Sequence, residues 1–411
     1  MSPPASEVTI RAIAAGGDGV GTLPDGRTVF IPRAAAGDRL RLRDVQLHKR
    51  FARARIAAVL EPGPDRVTPP CPHYLADQCG SCQLMHLSVE AQIHAKSRIV
   101  GDALRRIARL DVPDPDVMAS PAMLGYRTKV TFASAGGHLG YHPVGDADRV
   151  FDVRDCLLAE PMLQGLFRAV AAARDSLPST GVRVVLRRDS QGRLHVILRT
   201  EPGVPVWGGA TRLDRSLRDA GWEAIVWWHP SGGQPRVMVG SGDPWPATVF
   251  EQVNPAIGAR VRATAIESLG ALAGVHVWDL YAGIGETTRA LVERGASVES
   301  VEYDARAVSL AEGIGPSGPR RLTGRVEELA DRLGRAGAIV TNPPRVGMAP
   351  AVVAGLAASG AGRIAYVSCD PATLARDLAG LVPRYRLVRI LAFDQFPQTA
   401  HVETLAVLEQ R

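Results

Sequence analysis

The stretch that decides the fold, residues 277–287, reads VWDLYAGIGET. An apolar strand leads into a glycine-bearing turn and then into a helix. Glycine lets backbone approach a ligand closely, and a helix start favours an anionic group. The next predicted strand ends in Glu302, whose carboxylate can accept both hydroxyls of a ribose. Because turns also use glycine for steric reasons alone, it is the combination with Glu302 that predicts a nucleotide-binding site.

The order of residues in this turn favours one kind of adenosyl cofactor. Asp279 precedes Gly283 by four residues, and Gly285 follows. The order Asp-x-x-x-Gly-x-Gly fits S-adenosylmethionine better than the Gly-x-Gly-x-x-Gly of dinucleotide sites. A dinucleotide reductase remains the alternative for this stretch alone.

The chain from about 252 onward alternates predicted strands and helices. This alternation predicts a doubly wound, Rossmann-like α/β domain that closes with an antiparallel pair of strands. The predicted elements are 275–280, 287–294, 297–302, 305–312, 338–342, 364–369, 372–381, 385–393 and 402–408.

Three further blocks fall where strands of this sheet end, namely TNPPR at 341–345, YVSCDPATLARD at 366–377 and FPQTAHVE at 396–403. In open α/β sheets the chemistry lies outside the carboxyl ends of the strands. Cys369 follows a predicted buried strand and precedes a helix start. Nearby N–H groups and cations are therefore expected to lower its pKa from about 8.5. The alternative is a buried, inert cysteine.

Residues 7–60 are predicted to form short strands separated by turns such as GGDG at 16–19. Strands of this length and spacing are typical of a small, OB-like β-barrel. Basic residues alternate along the strands, so one face of the barrel is a candidate RNA platform, with an ordinary solvated surface as the alternative. The candidate RNA-binding residues of the barrel are Arg39, Arg41, Lys49 and Arg50.

The five cysteines divide into a set of four and a single candidate nucleophile. Cys71, Cys79 and Cys82 lie close together in sequence, and Cys156 lies far downstream. An odd, sparse set argues against a disulfide framework. Four thiolates can hold either zinc or a [4Fe–4S] cluster, and three clustered cysteines with one distant cysteine favour iron–sulfur.

The remaining stretch predicts a β-rich central domain. A proline-rich boundary lies at 62–72, an amphipathic helix is predicted at 88–110, and a hairpin at 183–200 turns around DSQG. The predicted domains are 1–62 for the barrel, 63–250 for the central domain and 251–411 for the α/β domain, with the helix at 88–110 packing on the last of these.

The bulk properties of the chain exclude a membrane-spanning protein. No apolar run approaches the roughly 20 residues that cross a bilayer, and residues 1–7 show no secretion signal. A cytoplasmic protein is expected. The net charge of +6 comes almost entirely from arginine, which suits phosphate, although biased coding explains the arginine preference equally well.

Taken together, these motifs resemble those of the RNA uracil-5 methyltransferase family. FEQVN at 250–254 adds to the likeness, which covers nearly the whole chain: a TRAM-type barrel, an iron–sulfur central domain and a methyltransferase domain. The resemblance implies that Cys369 adds to C6 of uracil and that Glu403 removes the proton from C5. An enolate formed by thiolate addition makes C5 nucleophilic, and a base must then remove its proton.

The resemblance also implies ligands for each site. S-adenosylmethionine is the implied cofactor, and a [4Fe–4S] cluster on the four cysteines is favoured over zinc. The predicted cofactor-binding residues are Gln252, Asp279, Tyr281, Gly283, Glu302 and Asn342, and the predicted substrate-binding residues outside the barrel are Gln252 and Arg345. The expected partner is structured RNA, with 23S rRNA favoured and the T-loop of tRNA as the alternative, and a monomer is expected.

The sequence departs from the family pattern at three positions of the cofactor domain. Asn342 replaces an aspartate, Arg325 replaces an acidic residue after the third strand, and Ala282 replaces a cysteine. Asn342 still offers an amide oxygen, so retained activity is expected. Two other classes stay open, a non-catalytic RNA-binding homologue and an N-methyltransferase, the latter because Asn342 precedes two prolines. An amine substrate would need no cysteine nucleophile.

Overall fold

The computed structural model describes residues 7–178, 181–240, 249–314 and 318–411. The predicted lack of a secretion signal rests mostly on residues 1–6, which lie outside these ranges. Within the described ranges, no helix is both long and apolar enough to cross a membrane. The described residues form three β-sheets with helices packed against two of them.

The first sheet has six strands in the order β1-β5-β6-β4-β3-β2. These strands are β1 (Glu7–Thr9), β2 (Ala12–Ile13), β3 (Gly19–Thr22), β4 (Thr28–Ile31), β5 (Arg39–Leu47) and β6 (Phe51–Glu61). The two edge strands are successive parts of one extended segment, in which Ile10 N donates to Asp38 O and Arg11 N donates to Val20 O. This segment joins both edges, so the sheet closes around the apolar core that includes Val29, Ile31 and Leu40. The assignment as an RNA-binding TRAM barrel stays a prediction.

The connection to the second sheet contains residues 71–82, which we call the cysteine segment, and a long helix. Its elements are α1 (Pro72–Leu75), α2 (Val89–Arg106) and β7 (Val117–Met118). The predicted helix at 88–110 forms, and the Ser88 side chain caps it by accepting from Ala91 N at 3.2 Å. It ends four residues earlier than predicted. Val100 and Leu104 pack in the same core as Leu374 and Leu378 of the third domain.

The central sheet has seven strands in the order β10-β9-β8-β11-β12-β13-β14. Its elements are β8 (Lys129–Ala135), β9 (His138–Tyr141), β10 (Phe151–Asp152), α3 (Pro161–Ala172), β11 (Val182–Arg188), β12 (Leu194–Thr200), α4 (Ala210–Asp219), β13 (Ile225–His229) and β14 (Arg236–Val239). The predicted hairpin is confirmed as the antiparallel pair β11 and β12. The region is mostly β, as predicted, and two helices that were not predicted, α3 and α4, cover one face of the sheet with residues such as Leu166 and Leu213.

The third sheet has eight strands in the order β17-β16-β15-β18-β19-β21-β20-β7. Its elements, apart from β7, are α5 (Pro255–Glu267), β15 (His276–Leu280), α6 (Glu286–Glu293), β16 (Ser297–Glu302), α7 (Ala305–Ile314), β17 (Arg320–Thr323), α8 (Val326–Leu329), β18 (Ala338–Thr341), α9 (Pro350–Ala358), β19 (Arg363–Ser368), α10 (Pro371–Leu381), β20 (Tyr385–Phe393) and β21 (Glu403–Gln410). Strands β15 to β19 are parallel, and β21 runs antiparallel between β19 and β20. The predicted doubly wound arrangement with a closing antiparallel pair is confirmed.

Candidate active site

Cys369 and Glu403 are brought together by the register of two neighbouring strands. Strand β19 pairs antiparallel with β21, and the last pair in the ladder joins Ser368 to Thr404. Continuing the register by one residue sets Cys369 opposite Glu403. Side chains directly opposite each other in an antiparallel pair lie on the same face. Both residues line one cavity of about 980 Å³.

Glu403 has the properties of a base that works near neutral pH. Its side chain is almost completely buried, at 2% exposure. Burial raises the pKa of the Glu403 carboxyl to about 7, and the charge of Arg345 opposes this shift. Among the described residues, none donates a hydrogen bond to the carboxyl group. Its oxygens are therefore available to a proton from a bound molecule.

The Cys369 thiol does not have the lowered pKa that the sequence predicts. Burial raises the pKa of the thiol, and the neighbouring charge of Glu403 raises it further, whereas Arg345 lowers it through its charge and a hydrogen bond. The N–H groups at the start of α10 do not serve the sulfur, because the Asp370 carboxylate accepts from Ala372 N at 3.0 Å and Thr373 N at 2.9 Å. Arg345 is thus the main group that favours the thiolate.

The loop that carries Arg345 is held from below by Asp377. The Asp377 carboxylate accepts from Met348 N at 2.8 Å and from the Tyr366 hydroxyl at 2.7 Å. Gly347, which precedes Met348 in this loop, has φ +76°, and a Cβ there would lie 2.6 Å from Asp377 Oδ2. Tyr366 and Asp377 stand in the block quoted above, but sequence reasoning gave them no role. Their buried contacts fix the loop that approaches Cys369.

The cofactor end of the same cavity is built on Glu302 and the glycine turn. Glu302 Oε2 accepts from Gly283 N at 2.8 Å, and Oε1 accepts from Asp304 N at 2.8 Å. Gly283 and Gly285 both have positive φ, at +56° and +77°, which the turn requires. Besides Cys369 and Glu403, the predicted site residues lining this cavity are Gln252, Tyr281, Gly283, Glu302, Asn342 and Arg345.

Asp279 is the predicted cofactor-binding residue that does not line the large cavity. It lines a smaller neighbouring cavity of about 80 Å³. Burial raises the pKa of the Asp279 carboxyl to about 7, and Oδ2 accepts a hydrogen bond of 2.5 Å from the Thr288 hydroxyl. Asp279 thus ties strand β15 to helix α6 beneath the turn.

Arg325, which departs from the family pattern, also lines the large cavity. Its guanidinium lies 5.2 Å from the centre of the Tyr303 ring and 3.5 Å from Glu327 Oε1. Glu327, two residues further on, lines the cavity as well. An acidic group is therefore present at this edge even though Arg325 is basic.

Gln252 is held by Gln395, which Asn254 holds in turn by exchanging hydrogen bonds with it, and neither was predicted as a site residue. Gln395 Nε2 donates to Gln252 Oε1 at 2.9 Å. Asn254 caps helix α5 through its side chain and donates to Ser120 Oγ at 3.1 Å. The only sequence signal was that Asn254 ends the quoted FEQVN stretch and that Gln395 directly precedes the quoted FPQTAHVE stretch. Together they fix Gln252 where both cavities meet.

The four predicted metal-binding cysteines lie in one region of the structure. Cys71, Cys82 and Cys156 meet in one small apolar cluster, and Cys79 lies in the neighbouring core, against which Cys156 also packs. All are free thiols. Within the described part of the chain, no three side chains of His, Cys, Asp or Glu are arranged to hold a metal ion. The iron–sulfur cluster therefore stays a prediction, which the presence of four cysteines in one region supports.

The predicted basic face of the barrel is partly neutralised. Arg39 pairs with Glu7 at 2.9 Å and Glu61 at 2.6 Å, and Arg41 lies 3.5 Å from Glu7. These partners stand on adjacent strands, which alternation along a single strand does not reveal. Lys49 and Arg50 lie in the exposed turn between β5 and β6 and have no acidic partner among the described residues. Of the four predicted RNA-binding residues, the two without an acidic partner therefore lie at this turn.

The sheet order, the glycine turn and the Glu302 hydrogen bonds define an α/β methyltransferase domain. The family model for tRNA (uracil-5-)-methyltransferase matches residues 320–411. The chain is 33% identical, over 98% of its length and 89% of the relative, to 23S rRNA (uracil(1939)-C(5))-methyltransferase RlmD of Chromohalobacter salexigens. It is 32% identical, over 98% of its length and 96% of the relative, to an uncharacterized RNA methyltransferase of Nitratidesulfovibrio vulgaris.

A solved structure has the same fold over nearly the whole chain. It is the Pyrococcus abyssi tRNA (uracil-54, C5)-methyltransferase in complex with S-adenosyl-L-homocysteine, with a TM-score of 0.71 and 21% identity, covering 98% of this chain and 100% of that one. At this identity the likeness concerns the fold. On the sequence relationships, the chain belongs to the RNA uracil-5 methyltransferase family.

Proposed function

We propose that the protein transfers a methyl group from S-adenosylmethionine to carbon 5 of a uridine in RNA. The observation that carries the proposal is the meeting of Cys369 and Glu403 in one cavity with Glu302 and the glycine turn. A nucleophile and a base at one end and a ribose-binding carboxylate at the other match a reaction between a pyrimidine and an adenosyl cofactor.

The reaction begins at the sulfur of Cys369. Arg345 favours the thiolate, which forms a bond to C6 of uracil, and the electron pair of the C5–C6 double bond moves into the C4 carbonyl as an enolate. S-adenosylmethionine, when bound, supplies the methyl group that C5 of the enolate takes. Glu403 then removes the proton from C5. The electrons of that C–H bond restore the C5–C6 double bond and expel the Cys369 thiolate, which completes the cycle.

The raised pKa values of both groups suit this sequence. A carboxyl with a pKa of about 7 can accept a proton at neutral pH and release it afterwards. The thiol has a raised pKa, so its sulfur is a stronger nucleophile once ionised and needs Arg345 to hold the anion. Phe396, which lines the same cavity, offers an aromatic face to a base removed from its stack.

For RNA binding we propose the exposed turn of the barrel between β5 and β6. The rings of His48 and Phe51 stack with centroids 4.4 Å apart, and Leu47 beside them is 57% exposed. Lys49 and Arg50 supply positive charge at the same place. Aromatic and basic side chains together form a surface for unpaired nucleotides. The RlmD relative supports 23S rRNA as the target, with the T-loop of tRNA as the alternative.

We also propose a [4Fe–4S] cluster held by Cys71, Cys79, Cys82 and Cys156. Four thiols concentrated in one region, two of them buried and two partly buried, form a donor set suited to iron–sulfur or zinc. The methyl transfer needs no electron, so no step depends on the cluster. A brown protein that contains iron and sulfide supports this assignment. A colourless protein with one zinc ion contradicts it.

The decisive experiment is trapping with RNA that contains 5-fluorouridine. Fluorine at C5 cannot be removed as a proton, so the methylated adduct should remain bonded to Cys369 and survive denaturing electrophoresis. The Cys369→Ala variant should form no adduct and lose turnover by about 10⁴-fold or more. Methylation of an amino group, or RNA binding without turnover, predicts no adduct for either protein.

A further inference from the structure

The chain between β20 and β21 brings two cavity residues into place without forming regular secondary structure. We call residues 394–402 the return segment. It contributes Phe396 to the cavity and leads directly into Glu403. Asp394 and Gln395 within it are completely buried. A buried irregular segment needs partners for its polar groups, and these partners decide where it lies.

Helix α2 supplies the first set of partners. Lys96 Nζ donates to Asp394 Oδ1 and, at 3.0 Å, to the carbonyl of Phe396. Gln92 holds Gln398 at two points, accepting from its backbone N–H and donating to its side-chain oxygen, both at 3.0 Å. Two side chains one helical turn apart thus hold both halves of the return segment.

Leu84, two residues after the cysteine segment, and Tyr126 supply a second set of partners. Leu84 N donates to Gln398 O at 3.0 Å, and the Tyr126 hydroxyl donates to Pro397 O at 3.0 Å. Leu84 also packs with Ala400 and with Ala35 of the barrel in one small apolar core. Apart from Val402, which packs in the core of the α/β domain, the return segment is therefore held mainly by parts of the chain that precede this domain or begin it.

The pair of Lys96 and Asp394 is a poor device for stability alone. Both side chains have 0% exposure, and a buried ion pair often gives no net stabilisation over apolar residues of similar size. It does impose direction, because the ammonium must point at one carboxylate oxygen and one carbonyl. We propose that Lys96 and Gln92 are positioning residues that set where the return segment holds Phe396 and Glu403, a role that rests on the function proposed above.

This arrangement separates the two chemical groups of the site. Cys369 is carried by β19 and α10, which Lys96 does not contact through hydrogen bonds. Glu403 follows the return segment. Loss of the Lys96 contacts should therefore slow removal of the C5 proton more than addition of the thiolate. The methylated adduct with ordinary uridine RNA should then accumulate during turnover.

The experiment compares Lys96→Met with the wild-type protein on unmodified RNA. We expect kcat to fall by about 10²-fold, as for a displacement of roughly 1 Å. We expect KM to change by less than about twofold, and the adduct fraction in denaturing gels to rise. Arg66→Met, which breaks the buried pair with Asp38 in the barrel, serves as the matched control and should leave the adduct fraction unchanged.

A double variant separates positioning from folding. Lys96→Met with Asp394→Leu removes both charges, so it should recover thermal stability lost in the single variant. It lacks the contact to the Phe396 carbonyl, so kcat should stay low. If the single variant does not fold, the double variant and Gln92→Leu decide by the same readouts. Wild-type kcat in the folded variants, or equal loss of adduct and turnover, overturns the proposal. Failure of wild-type trapping with 5-fluorouridine overturns the proposed function instead.

Discussion

Two buried carboxyls of the α/β domain have the same raised pKa but different surroundings. The pKa values of Asp279 and Glu403 are both raised to about 7 by burial. Asp279 accepts a hydrogen bond from Thr288, whereas no described residue donates to the Glu403 carboxyl. The large cavity reaches Glu403 only. A raised pKa therefore reports burial, and only the oxygens of Glu403, the proposed base, are both free of described donors and open to the large cavity.

The largest expected effect sets the two carboxyls apart in turnover. Glu403→Gln should lower kcat by about 10²- to 10⁴-fold, because the C5 proton then has no base. Asp279→Asn keeps the hydrogen bond with Thr288 and should cost less than about tenfold, mostly in cofactor affinity. Single-turnover methylation and adduct gels measure both. Equal losses in the two variants would show that Glu403 and Asp279 do not differ in their importance for turnover.

The pH dependence of turnover sharpens the comparison further. Glu403 accepts a proton only when ionised, so kcat should rise about tenfold per pH unit below 7 and then level, or continue to rise as Cys369 ionises. Asp279→Asn should keep this rising limb. A rate that falls between pH 6 and 7.5 would contradict the role of Glu403 as base.

The pH dependence of the free energy of unfolding, in contrast, should be affected similarly by the two carboxyls. Each has a folded pKa above its unfolded value of about 4, so the folded protein binds more protons between pH 4 and 7 and loses stability as pH rises through 7. The loss is on the order of 3 kcal/mol for each fully buried group. Urea unfolding at pH 5 and 8 should show a smaller difference in both Glu403→Gln and Asp279→Asn than in the wild-type protein. Unchanged pH dependence in either variant would contradict this expectation.

The smallest expected effect compares barrel cations that have acidic partners with barrel cations that have none. Lys49→Ala with Arg50→Ala should weaken RNA binding and reduce the slope of log affinity against log salt by about one per cation. Arg39→Ala with Arg41→Ala removes cations that already have acidic partners. The second pair should change the slope by less than half as much. RNA binding measured by filter retention over a range of salt concentrations gives the slope for each double variant and tests which pair has the larger effect.

Local patterns predicted the parts of the molecule that depend on local sequence. The turn with Gly283 and Gly285, the carboxylate of Glu302 and the hairpin between β11 and β12 all follow from residues close together in the chain. Helix α3 was missed, although Leu163, Leu166 and Val170 after an initial proline carried a helical pattern. The strands on either side dominate the sequence pattern of that region.

Features that join distant residues could not be predicted in this way. Lys96 and Asp394 are 298 positions apart in sequence and meet only in the folded chain. The pairing of Arg39 with Glu61 depends on a strand register that includes an irregularity at this point. The pKa of Cys369 is raised instead of lowered because burial and the charge of Glu403 outweigh Arg345, and Asp370 takes the helix-start N–H groups. Composition and spacing contain none of these distances.

The antiparallel pairing of β19 with β21 sets the backbone spacing of Cys369 and Glu403. Since backbone hydrogen bonds fix how far Ser368 stands from Thr404, the sheet sets the backbone spacing of Cys369 and Glu403 one step beyond, and the proposed contacts of the return segment refine the position of the Glu403 carboxyl. A slip of one residue would turn the carboxyl to the opposite face. Loops other than the return segment can therefore diverge to suit a different nucleic acid while the backbone of Cys369 and Glu403 keeps its spacing.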